Sequence, residues 1–133
     1  MQDTPSPEQL LRAVARYLRD EAGPALARGG DSALAYQARV AANMLDIAGR
    51  QLAHAPAADA AELARLQALL LVDPGSLRAL NQRLADRLQD GSLAADHPGL
   101  AEHLWLTTLA KLAVDQPGYD TFRRIADAAP DQD

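Results

Sequence analysis

Cysteine is absent from the 133-residue chain, so disulfides, thiol nucleophiles and thiolate metal sites are excluded from the outset. Aromatic residues are scarce, at 4%, and without the aromatic and β-branched residues that favour strands a β-rich fold has little to build on. Basic charge is in the minority: 13 Lys and Arg stand against 18 Asp and Glu, for a net charge of −5. Neutralising phosphates needs a basic surface, so nucleic acid is not expected as a partner. No run approaches the roughly 18 apolar residues that span a bilayer, and no membrane partner is expected either. The opening MQDTPSPEQ lacks the basic start and apolar stretch of a signal peptide, so a cytoplasmic location is expected.

Hydrophobic residues make up 48% of the chain, enough for a real core at this length. Alanine and leucine, the strongest helix formers, supply most of them. The length fits one helical domain over 1–133, with an ordered core of about 6–128 and a disordered tail at 130–133.

Punctuation divides the chain into helices. Ser6-Pro7-Glu8-Gln9 is a capping box with proline at the first helical position. The helix it opens carries Leu10, Leu11, Val14, Tyr17 and Leu18 on one face, with Arg12, Arg16 and Arg19 opposite. Gly23-Pro24 is expected to end it. A second helix runs from about 31 to 54, with a buried stripe of Leu34, Ala38, Ala41, Leu45, Ala48 and Leu52 at alternating spacings of four and three. Val40, Met44 and Ile47 widen its apolar arc, as in a helix packed on more than one side. Pro56 is expected to interrupt, and a third helix covers about 58–71. Asp73-Pro74-Gly75 reads as a turn, and Ser76 caps a fourth helix bearing Leu77, Leu80, Leu84 and Leu88. A fifth covers about 99–116, stopped by Pro117-Gly118, and 119–128 makes a last short turn or helix. The expected fold is all-α, an up-and-down bundle of four to five helices.

Chemistry, if present, is confined to two narrow polar lines. At 100° per residue, Arg39, Asn43, Asp46 and Arg50 fall within about 60° of one another on the second helix. On the fifth, Thr107, Thr108, Lys111 and Asp115 share a strip, while Trp105, Leu106, Leu109, Leu112 and Ala113 occupy the rest. Two arrangements are open. Both lines face water, with Asp46/Arg50 and Lys111/Asp115 as ordinary surface pairs, or they face each other or a shared cleft. In the second case Arg39, Asn43, Lys111 and Asp115 form a ligand site for an anion. Arg39 and Lys111 would hold its carboxylate or phosphate.

Other signatures are missing. His97 and His103 are six residues apart across a proline, which is not a ligand spacing on one helical face, and no metal is expected. The serines sit where caps and loops explain them, no GxSxG or glycine-rich phosphate loop occurs, and no catalytic residue or cofactor is assigned. Trp105 and Phe122 read as core anchors or interface residues.

Two segments carry a resemblance. Ala38-Arg39-Val40-Ala41-Ala42-Asn43 and the run from Leu109 to Tyr119 (LAKLAVDQPGY) resemble a family of small bacterial domains of unknown function, and the similarity extends back to Pro7-Glu8-Gln9-Leu10-Leu11. Genes of that family often lie beside, or fused to, aminoglycoside-phosphotransferase-like kinases, with acyl-CoA dehydrogenases nearby. The first family motif has a histidine where Gln37 stands, and the second often has an asparagine in place of Gln116. The resemblance implies a kinase-like protein partner and transfers no mechanism. The expected function is a non-catalytic helical accessory or interaction domain. The alternative is a binding protein or enzyme for a small anion such as an acyl-CoA or phosphate compound, and an exposed Leu/Ala face leaves homo-oligomerisation open.

Overall fold

Ser6 opens the first helix as its capping box requires. Its hydroxyl accepts from the Gln9 amide at 3.3 Å, and the Gln9 side chain accepts from the Ser6 amide at 2.8 Å. The computed structural model describes residues 4–71 and 75–128, and the expected tail at 130–133 and most of the Asp73-Pro74-Gly75 turn lie outside them. The described residues are 81% helical with no strand, the all-α bundle class expected. The chain divides into two compact units, Met1–Ala55 and Pro56–Asp133.

In the first unit the helical path does not stop at Gly23-Pro24. α1 (Pro7–Tyr17) continues through a π-helical turn, Leu18–Ala22, into α2 (Gly23–Arg28). A proline inside a regular helix clashes with the carbonyl four residues back and removes a hydrogen bond. Widening the preceding turn accommodates it: the Gly23 amide donates to Leu18 O, five residues back. Gly23 suits the widened turn, because a Cβ there would press on Leu18 O at 3.1 Å, and it also faces α3 (Ser32–Leu70). A Cβ on it would lie 3.7 Å from Ala35 O and 3.9 Å from the Ala38 Cβ of α3. α1 approaches the same helix at Gly49, where an added Cβ would sit 4.0 Å from that of Leu11.

α3 runs unbroken over Ser32–Leu70, with Pro56 inside it. This corrects the expected break. Six of the nine residues 53–61 are alanines, whose helix preference offsets much of the roughly 3 kcal/mol that an interior proline costs. The division between units falls at this proline. The buried stripe of α3 is also rotated from the expected one: Ala35, Ala38 and Ala42 are buried, while Leu34 and Leu52 are exposed. Ala35 and Ala38 lie beside Gly23, so the smallest residues line this seam.

The second unit has a leucine core. Leu66, Leu69 and Leu70 of α3 meet Leu80 and Leu84 of α4 (Leu77–Gln89), Leu93 of the following loop and Leu100 of α5 (Leu100–Asp115). Ser76 caps α4, its hydroxyl accepting from the Ala79 amide at 3.2 Å. Arg87 donates to Leu70 O at 3.3 Å, satisfying a carbonyl at the end of α3. α6 (Asp120–Ala128) packs against α5, with Phe122 and Ile125 half-buried. Among the described residues no helix is long and apolar enough to cross a membrane.

Candidate functional site

The two polar lines read from the sequence fall in different units. Arg39 and Asn43, on α3, are exposed in the first; Lys111 and Asp115, on α5, are exposed in the second. Asp46, further along the α3 line, pairs with Arg19 of the π-helical turn, a partner that the sequence reading did not assign. Asp46 and Arg50 do border a cleft, of about 240 Å³, whose other wall is Glu8 and Arg12 of α1. Arg39 and Asn43 are not among the residues that line it.

On α5 burial does not follow the polar strip throughout. His103 and Thr107 are buried, at 2% and 9% exposure, whereas Trp105 is 52% exposed. The sequence reading offered Trp105 as a core anchor or an interface residue, and the core role is excluded. The register follows from Leu100. It is fixed in the leucine core, so the positions three, seven and fourteen residues later, His103, Thr107 and Val114, turn inward with it. Thr108, Lys111 and Asp115 stay outside, and Thr108 donates its hydroxyl back to Leu104 O at 2.7 Å.

This register builds a second cleft, which the sequence reading missed. About 260 Å³ in volume, it lies at the N-terminal end of α5, lined by Arg65, Ala68 and Leu69 of α3 and by His97, Pro98, Gly99, Glu102 and His103. Gly99 precedes the helix with φ +84, a left-handed conformation that costs glycine nothing, and no side chain caps the first turn. The Leu100 amide is taken by His97 O and that of His103 by Gly99 O. The Ala101 and Glu102 amides are left as the open donors of the turn among the described residues.

Two buried nitrogens at this cleft lack hydrogen-bond partners among the described residues: Arg65 Nε and His103 Nδ1. Each such orphan costs on the order of 1–3 kcal/mol, more for a charged group. Arg65 is otherwise anchored by donating to the Thr107 hydroxyl at 3.4 Å. Glu62, one turn before Arg65, accepts from Asn81 Nδ2 at 2.7 Å. The signal that could have found the site was the placement of His103 on the Leu100 face, which is visible once Leu100 is taken as core.

Burial holds the His103 imidazole below its ordinary value. The Arg65 cation pushes the same way, Glu62 opposes, and Lys111 adds to the lowering. The unfolded chain therefore takes up the proton more readily, near pH 6.5. Stability is full above that value and falls as the pH drops from about 6.5 towards the lower folded-state value, below which this residue adds no further loss. Urea midpoints at about pH 7.5 and about pH 5.5 are expected to show the drop. In His103→Gln the drop should shrink. An equal drop in both proteins would remove His103 as its cause.

Among the described residues, no three His, Asp or Glu side chains come together to hold a metal ion. A family model described as a domain of unknown function (DUF6285) matches residues 24–119, most of the chain, and the chain belongs to that family. The matched range contains both segments that carried the resemblance and begins after the Pro7–Leu11 opening. No curated protein and no solved structure matches the chain.

Proposed function

We propose, for a chain in a family without an assigned activity, that it is a non-catalytic helical interaction domain whose α3 offers an apolar row to a helix of a kinase-like protein. One observation carries the reading. Leu34, Met44 and Leu52 are 45%, 63% and 49% exposed, with half-buried Ala41 and Ala48 between them. Their order, Leu34-Ala41-Met44-Ala48-Leu52, keeps to one face of the helix and alternates large with small residues. A partner helix packs its own large side chains into such gaps. Methionine in mid-row suits a surface that adapts to what it meets. The kinase-like nature of the partner is supported by the resemblance of segments 38–43 and 109–119.

The test is titration calorimetry of the purified chain against an aminoglycoside-phosphotransferase-like kinase, the partner class that the resemblance implies. Met44→Glu keeps helix propensity at an exposed position, so the fold should persist. It places an unpaired charge in the row and is expected to weaken binding tenfold or more, about 1.4 kcal/mol for each factor of ten. Unchanged affinity would remove the row as the docking surface. Light scattering on the same samples identifies a second copy of the chain as the occupant if the mass doubles and Met44→Glu returns it to one. Turnover of a nucleotide or an acyl-CoA by the protein alone would overturn the non-catalytic reading.

A further inference from the structure

The geometry points to a binding site for a small organic carboxylate in the cleft at the N-terminal end of α5, independent of the docking row on α3. Three observations converge on it. The first turn of the 16-residue α5 has no side-chain cap and leaves the Ala101 and Glu102 amides open among the described residues, at the end of the helix where its dipole favours an anion. His103, 2% exposed, lines the same cleft with an orphaned Nδ1. Arg65 lines it from α3 with an orphaned Nε on a permanently charged guanidinium, whose planar fork matches a carboxylate. Buried nitrogens are ordinarily satisfied within the fold. Here Arg65 and His103, which carry the two orphans, line one cleft with Glu102, whose amide is open.

The lining also selects the kind of anion. Ala68, Leu69 and Pro98 give the cleft an apolar wall beside the donors, which suits a short hydrocarbon tail and not a bare phosphate. Its volume, about 260 Å³, lies just under the range of about 300–1,000 Å³ typical of drug-sized ligands. The carboxylate binds the amides and Arg65, and His103, neutral when buried, offers one ring nitrogen to the same oxygens. Charges around the imidazole come from both packed elements: Arg65 and Glu62 on α3, Lys111 and Glu102 on α5. Glu102 is exposed, so its repulsion of a bound carboxylate is screened by solvent.

The test is a nitrogen-15 NMR titration of the full chain with sodium butyrate, and separately with inorganic phosphate. Butyrate is expected to give saturable shifts at the Ala101 and Glu102 amides and to bind more tightly than phosphate. Arg65→Gln should weaken it at least tenfold. Because Arg65 also holds Thr107, a second variant guards against loss of fold. Ala68→Phe fills the cleft from an exposed position, leaves every donor in place, and should abolish the shifts while the rest of the spectrum is kept. Absence of saturable shifts, tighter binding of phosphate, or wild-type affinity in a folded Ala68→Phe protein would each overturn the assignment.

Discussion

Leu66→Ala is expected to lower the unfolding free energy by about 2–5 kcal/mol, the largest loss of any single truncation among the described residues. Leu66 is fully buried, and its neighbours in the second unit are all leucines: Leu69, Leu70, Leu80, Leu84, Leu93 and Leu100. The loss has two parts, the transfer free energy of the removed atoms and the cavity left when the surroundings relax only partly. Relaxation is limited here. Leu66, Leu69 and Leu70 are fixed by their own helix, while Leu80, Leu84 and Leu100 are held on α4 and α5, whose starts are set by Ser76 and Gly99. The measurement is the urea midpoint at constant slope, which separates lost stability from a change in the denatured state. A loss under about 1 kcal/mol would mean that the leucines close over the gap, and the core would then be looser than the burial implies.

In the first unit the damaging change is growth. Ala42→Leu should destabilise by about 1–3 kcal/mol through overpacking. Ala42→Gly, which removes the methyl group, should cost about the helix-propensity difference of 1 kcal/mol. Ala42 and Ala15 are both wholly buried, and even a methyl group added at Gly23 would already be in van der Waals contact with Ala35 and Ala38. A leucine at position 42, which is wholly buried, needs space that the surrounding residues must give up. Paired denaturation curves of the two variants provide the check. If Ala42→Leu matched or exceeded the wild type in stability, the close approach around Gly23 would not be what holds this unit.

The parts of this architecture legible in the sequence are those set by neighbours along the chain. Ser6 and Ser76 cap because a hydroxyl reaches an amide three residues on, whatever the tertiary structure. The α4 row of Leu77, Leu80, Leu84 and Leu88 kept its register because leucines sit on a single face. Misreadings arose where tertiary contact decided between local options. Gly23-Pro24 and Pro56 are the usual helix stops, yet a π-helical turn passes the first and a run of alanines passes the second. On α3 apolar residues cover half the circumference, so periodicity could not say which arc was buried. The interior went to the arc of Ala35, Ala38 and Ala42, the one that meets Gly23. On α5 ten of the sixteen positions are apolar and spread round the helix, so the polar residues alone do not mark which face is buried. Leu100 instead carried His103 and Thr107 inward. That is why the cleft at the head of α5 went unread, while four exposed residues, Arg39, Asn43, Lys111 and Asp115, attracted attention.

Pro56 has a consequence for how α3 comes apart. With no amide at position 56, the carbonyl of Leu52 loses the donor that an unbroken helix would supply. Water can take that place, because Leu52 is 49% exposed. A helix of 39 residues would ordinarily fray from its ends and exchange its amide hydrogens slowest in the middle. Hydrogen–deuterium exchange is therefore expected to find the residues around 52–60 exchanging ahead of the flanking turns, a single continuous helix opening as two segments.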